Sequence, residues 1–162
     1  FYTWVYCGNK WMRHANKVSI QERLEHFRQV CRQQGLRMTH QRLEVFQELV
    51  SDSGHPSAEE IFRRVKKRLP MITLDTVYRT VYTFERCGVV RRVQALEDRI
   101  RFDSNLEPHH HLICIRCKGI ADLFWPAFEK LKAPEETEEW GEFQYASVDF
   151  RGICRQCREK EE

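Results

Sequence analysis

Residues 109–117 read HHHLICIRC, three imidazoles and two thiols in nine positions. His109 and His111 are two apart, the spacing that turns both side chains to one face of a strand. Cys114 and Cys117 follow as a C-x-x-C pair, and a second pair, Cys154 and Cys157, comes near the C-terminus. Thiolates three residues apart chelate one ion, and four of them complete a tetrahedron around redox-inert zinc. The 36 residues between the pairs exceed the loop of a simple zinc ribbon, so the metal would staple a whole small sheet shut. A closed site of this kind leaves no position for substrate and reads as structural Zn(II). An iron–sulfur cluster would use the same four ligands, and four unpaired thiols are the plain alternative.

Working outward, 162 residues with 41% hydrophobic and 31% charged side chains allow one medium domain or two small ones of ordinary globular composition. No apolar run reaches 18 residues and no secretory signal is evident, so no membrane partner and a cytoplasmic location are expected. Without export, paired C-x-x-C spacing points to metal rather than to disulfides. Cys31 and Cys87 fall on helical patterns and read as small buried hydrophobes. The chain begins at Phe1, and FYTWVYCGNKWMRHANKVS shows no helical or strand period. Residues 1–19 are read as a poorly defined extension, from a fragment or an over-extended start.

Charge is uneven. Residues 1–90 carry fifteen Lys and Arg against nine Asp and Glu, whereas residues 91–162 carry twelve against fifteen. A basic front half suits a polyanionic partner; chance asymmetry on solvated faces would give the same count.

That front half is helical by pattern. Ile20, Leu24, Phe27, Val30 and Cys31 recur at helical spacing up to Gly35. Thr39 caps a second helix with Leu43, Phe46, Leu49 and Val50 inward. Ser57 and Glu60 form a capping box opening a third, with Ile61, Phe62, Val65 and Leu69 inward and Pro70 ending it. Thr73 opens a fourth, with Val77, Val81 and Phe84 on one face and Gly88 as its stop. Its other face, Asp75, Thr76, Tyr78, Arg79, Tyr82 and Thr83, mixes hydroxyls, aromatics and an arginine, groups that contact phosphates and base edges. Strand-like runs 89–93 and 100–103 then flank a polar turn at Glu97-Asp98. Helices followed by a hairpin predict a winged helix-turn-helix, with helix 74–87 reading DNA.

Past Asp103 the texture changes, and a domain boundary is placed here. Strands are expected over 111–114 and 120–124, a helix from Pro126 to about Lys132, an acidic loop at PEETEEWGE, a strand over 143–150 and a frayed CREKEE tail. A harder metal site is suggested by His109 and His111 with Asp103, Asp122 and His55, since mixed imidazole and carboxylate donors suit Fe(II), Mn(II) or Zn(II). Taken singly, His55 reads equally as a loop histidine, and Asp103 and Asp122 as exposed turn carboxylates.

The segments GLRMTHQR (35–42), HPSAEEIF (55–62), TLDTVYRTVYTFERCGVV (73–90), RFD (101–103), HHHLICIRC (109–117) and GICRQC (152–157) together resemble the ferric uptake regulator family of bacterial metal-dependent repressors. The resemblance spans residues 20 to 158. It implies an α+β protein: a winged-helix DNA-binding domain over 20–103, a C-terminal α/β dimerisation and metal-binding domain over 104–158, and a tail at 159–162. It further implies structural Zn(II) on Cys114, Cys117, Cys154 and Cys157. Regulatory Fe(II) or Mn(II) would sit on His55, Asp103, His109, His111 and Asp122, bridging the domains. Tyr78 and Arg79 fall on the recognition helix, and the partners implied are double-stranded operator DNA and a second copy of the chain.

Asp103, directly after Arg101-Phe102, resembles the peroxide-responsive branch, whereas iron-uptake and zinc-uptake members tend to carry Glu or other ligands around this position. That branch implies a repressor, not an enzyme, in which Fe(II) and hydrogen peroxide oxidise a ligand histidine, with His55 and His109 as candidates. The alternative within the family is a reversible iron-responsive repressor; a zinc-responsive repressor or a metallohydrolase stands further off, the latter lacking an evident general base. Many iron-uptake members have a further metal site, but Ala146 and Ser147 stand where its strand histidine falls. That site is expected to be lost or weak, with His110 on the opposite face from the regulatory ligands.

Overall fold

The computed structural model describes residues 4–7, 10–13, 19–52, 54–94, 100–131, 133–142 and 146–160. Two short strands, β1 (Trp4–Cys7) and β2 (Lys10–Arg13), pair antiparallel with Cys7 opposite Lys10. They lie in the stretch whose sequence shows no period, because four-residue strands are too short to display one.

Helices α1 (Ile20–Gln33), α2 (His40–Ser51), α3 (Ala58–Val65) and α4 (Leu74–Arg86) follow the apolar stripes and caps. The side chains of Ser19, Thr39, Ser57 and Thr73 each accept a backbone N–H in the first turn, as helix N-caps do. Gly35 (φ 63°) and Gly88 (φ 70°) close α1 and α4 in the left-handed conformation. Leu36 N–H donates to Cys31 O at 2.8 Å and Val89 N–H to Phe84 O at 3.1 Å, which completes two Schellman stops. Ile20, expected on the inner stripe, is exposed; it sits at the first position of α1, beyond the core.

The core of this unit is an aromatic cluster. Phe27 stacks on Phe46 at 4.0 Å, and Phe84 meets both edge-on at 4.9 and 5.7 Å. Each such pair contributes about 0.5–1.5 kcal/mol beyond area burial. Strands β3 (Arg91–Gln94) and β4 (Ile100–Asp103) form the wing, with Arg91 opposite Asp103. The turn expected at Glu97-Asp98 lies outside the described residues. Helices α2 to α4 with this hairpin make a winged helix-turn-helix.

The second sheet has strand order β6-β5-β7, from β5 (His110–Cys114), β6 (Ile120–Leu123) and β7 (Asp149–Gly152). β6 pairs antiparallel and β7 parallel with β5. The chain divides into His14–Leu106 and a unit made of Phe1–Arg13 with Glu107–Glu162.

Four local expectations in this region are corrected. Pro126 opens only a turn and a 3-10 segment, Phe128–Lys130, and the backbone is already extended at Leu131 (φ −72°, ψ 131°); Lys132 lies outside the described residues. The acidic stretch holds a short exposed helix, α5 (Glu136–Trp140), whose glutamates complement the helix N-terminus. Residues 146–148, expected within the last strand, precede it: β7 begins at Asp149, because Val148 N–H donates to His110 Nδ1 at 3.1 Å and is spent on a side chain. Residues 143–145 lie outside the described residues. The C-terminal stretch forms α6 (Arg155–Glu159), with Cys154 at its N-cap, rather than a frayed tail.

Candidate metal centres

Cys114 ends β5 and Cys117 lies in the tight turn that returns the chain to β6. Lys118 (φ 59°) makes that turn, donating its N–H to Cys114 O at 3.0 Å, while Cys114 N–H donates to Gly119 O at 2.9 Å. A side chain at Gly119 would crowd the site, since a Cβ there would lie 3.3 Å from Cys117 Sγ. Cys154 and Cys157 sit one helical turn apart at the start of α6, so their thiols share a side. The four Sγ atoms all lie within 4.8 Å of one another. Cys117 Sγ is 3.8 Å from Cys154 Sγ, matching the edge of roughly 3.8 Å in a zinc–thiolate tetrahedron with bonds of about 2.3 Å.

Their electrostatics fit a dication. Burial pushes the Cys114 thiol up, but backbone N–H groups of Cys154, Cys117 and Arg116 outweigh it and bring it down to about 6. Cys157 is pushed up to about 12, first by the Cys154 thiol beside it and then by burial. The first thiolate forms readily and the last resists, so full ionisation of the set calls for a cation among the sulfurs.

The five harder donors fall on both units, with His55 and Asp103 in one and His109, His111 and Asp122 in the other. His55 adopts φ 54°, left-handed backbone that a non-glycine residue enters at a cost of about 1–3 kcal/mol. Its neighbours hold it there. Arg101 Nη1 donates to His55 O at 3.4 Å, Phe102 N–H donates to Pro56 O at 3.1 Å, and Arg101 also pairs with Glu60 at 2.5 Å. The ring is buried with its Nε2 3.8 Å from Asp103 Oδ1. That carboxylate oxygen also accepts Asn105 N–H at 2.7 Å, which fixes its rotamer.

In the sheet unit, His109 Nε2 and His111 Nε2 are 3.1 Å apart. His109 Nδ1 lies 2.7 Å from Glu107 O, an acceptor, so it carries the proton and leaves a lone pair on Nε2. His111 stands opposite Asp122 on β6 and Asp149 on β7. Asp122 Oδ1 is 3.9 Å from His109 Nε2, and Asp149 Oδ1 is 3.4 Å from His111 Nδ1. Asp149 is absent from the residues singled out by sequence. Its only signal there is two-residue alternation on a strand whose start is misplaced. His110 takes the other face, against Phe128 at 4.6 Å and Trp125 at 6.0 Å.

Tyr78 and Arg79 lie on the outer side of α4. Arg79 is 82% exposed and only 3.9 Å from the equally open Asp75, a pair too solvated to hold its guanidinium back. Tyr78 donates its hydroxyl to Glu59 Oε1 at 2.5 Å and stacks on Tyr82 at 6.1 Å.

The model of the Ferric uptake regulator family matches residues 33–150. A peroxide-responsive repressor, PerR, of Staphylococcus epidermidis is 28% identical over 146 residues, 90% of this chain and 97% of its own. Among solved structures, the Helicobacter pylori ferric uptake regulator, described as having three functional metal binding sites, superposes with a TM-score of 0.73 at 23% identity, covering 89% of this chain and 97% of its own; this is a likeness of fold. A zinc-bound manganese uptake regulator gives a TM-score of 0.63 at 30% identity, covering 81% of this chain and 98% of its own. With its paired thiols, hard-donor residues and winged helix, the chain belongs to the Ferric uptake regulator family, whose members are regulators and not enzymes.

Proposed function

We propose that the chain is a metal-dependent, DNA-binding transcriptional repressor that senses hydrogen peroxide, like the PerR relatives it resembles. The observation that carries this reading is the convergence of His109 and His111 through Nε2, each ring with an acceptor near Nδ1. Two imidazole lone pairs aimed at one point are repulsive unless a proton or a cation lies between them, and the carboxylates nearby favour a cation.

In this reading Zn(II) is held by Cys114, Cys117, Cys154 and Cys157, and Fe(II) or Mn(II) by His55, Asp103, His109, His111 and Asp122. Metal loading would favour the DNA-competent form of a dimer whose two α4 helices enter successive major grooves. A bound Fe(II) would activate hydrogen peroxide beside these imidazoles, chemistry that Mn(II) does not undergo readily. In net terms the peroxide would take two electrons from a ligand ring, one of its oxygens going to a ring carbon in place of hydrogen and the other leaving as water. An oxidised His55 or His109 would be a poorer base and would weaken metal binding, and DNA binding with it.

A homodimer is supported by the sheet face opposite His111. Leu112 and Phe150 are paired across β5 and β7 and Trp125 lies 5.9 Å from Phe150, yet these three are 38–40% exposed in a single chain. Among the described residues no helix is long and apolar enough to cross a membrane.

The test is anaerobic loading with Fe(II), a low dose of peroxide, and mass spectrometry of tryptic peptides. A gain of one oxygen at His55 or His109, absent with Mn(II), is expected. Unmodified histidines with DNA affinity tracking free iron alone would overturn peroxide sensing in favour of a reversible iron-responsive repressor.

A further inference from the structure

A carboxylate on the surface that meets DNA repels phosphate, so its presence needs a reason. Glu59 lies in the first turn of α3, is exposed, and reaches the outer side of α4 by accepting the Tyr78 hydroxyl at 2.5 Å. Its neighbour Glu60 is committed elsewhere, to the Ser57 capping box and to Arg101. The Tyr78 ring is held from its other side by stacking on Tyr82. Tyr82 is itself packed by Arg92 of the wing, 5.2 Å from its centroid, and by Phe102 at 6.4 Å. Arg92 is tied back to Glu85 at 2.7 Å. Tyr78 is therefore fixed at its hydroxyl and along its ring before any partner arrives.

We propose that Glu59 is a positioning residue for DNA-sequence discrimination, holding the Tyr78 hydroxyl so that α4 presents one fixed aromatic edge. This rests on the DNA-binding reading above. A side chain already ordered does not have to be ordered on docking, and that saving is realised only on sequences matching the fixed edge. The contact also raises the Tyr78 phenol to about 12, first through the hydrogen bond to Glu59 and then through burial. The simpler role for Glu59, an acid complementing the α3 N-terminus, predicts no dependence on Tyr78.

The experiment selects duplexes from a randomised pool with Mn(II)-loaded wild type, E59A, E59Q, Y78F and the E59A/Y78F double variant. Binding to the wild-type consensus is then compared with binding to a scrambled duplex. E59A should lower that ratio about three- to tenfold, with no loss of affinity for the scrambled duplex. E59Q, which keeps an acceptor and removes the charge, should retain the ratio, and the double variant should be no worse than Y78F. Equal behaviour of E59Q and E59A, or additive losses in the double variant, would overturn the proposal. Tyrosine ¹³Cζ NMR reads the contact without DNA: Tyr78 should stay protonated at pH 11 in the wild type and ionise near the ordinary value of about 10 in E59A. If that contact is seen but the wild type enriches no sequence, the DNA-binding reading fails and the proposal with it. If the phenol titrates normally in the wild type, the positioning itself is wrong.

Discussion

His111 lies between two carboxylates in register, Asp122 on β6 and Asp149 on β7, and it is Asp149 that faces its Nδ1 at 3.4 Å. A carboxylate behind a ligand imidazole fixes the ring's tautomer and raises its basicity. Asp149→Ala should therefore weaken Mn(II) binding about 10- to 100-fold while leaving zinc content at one per chain. Counting free Mn(II) by electron paramagnetic resonance decides it. Unchanged affinity would mean that Asp149 serves only as a solvated strand residue.

The two units should differ in what holds them together. Among the described residues of the sheet unit, the buried apolar side chains are Ile113, Cys114 and Ile120 alone, whereas the helical unit buries a continuous cluster from Leu24 to Phe102. So small a core needs a staple. Zinc chelation, or Cys114→Ser, should abolish the dimer and the sheet's amide protection while most of the helical circular dichroism survives. A folded, dimeric Cys114→Ser protein would contradict a structural role for the thiolate set.

Within the helical unit, Phe84→Ala removes a side chain that touches both other members of the aromatic cluster. Its expected cost is about 3–5 kcal/mol, measured by urea unfolding. Met71, 89% exposed, is the control: Met71→Ala should stay within about 0.5 kcal/mol. Similar losses at both positions would show that the aromatic cluster is not what stabilises this unit.

Helix α4 was readable because its signals are local: a threonine cap at 73, an apolar stripe and a glycine stop at 88 lie within sixteen residues. The thiolate set was readable for the same reason, since each C-x-x-C pair declares itself. Asp149 was not, because its role depends on parallel pairing with a strand nearly forty residues away. Nor was Glu59, which acts across from one helix to another. The misplaced start of β7 has a related origin: the N–H of Val148 goes to the His110 ring, and no alternation pattern contains that competition. Short-range chemistry is written in order along the chain, whereas cross-strand partners are fixed only once register is set.

Asp103 offers the sharpest test of what the hard-donor residues sense. Its Oδ1 is pinned by Asn105 N–H at 2.7 Å and stands 3.8 Å from His55 Nε2, so the carboxylate's reach is set by its single methylene. Glutamate places the carboxylate one carbon further out and loses the turn that anchors it, moving a donor by about 1.5 Å, the length of one carbon–carbon bond. Strand β4 keeps its ladder, because Asp103 pairs with Arg91 through the backbone. Asp103→Glu should thus melt at the wild-type temperature and still bind Mn(II), yet show at least a severalfold lower yield of oxidised His55 and His109 peptides after Fe(II) and peroxide. Wild-type yields in that variant would detach peroxide reactivity from this carboxylate and place its origin in the histidines alone.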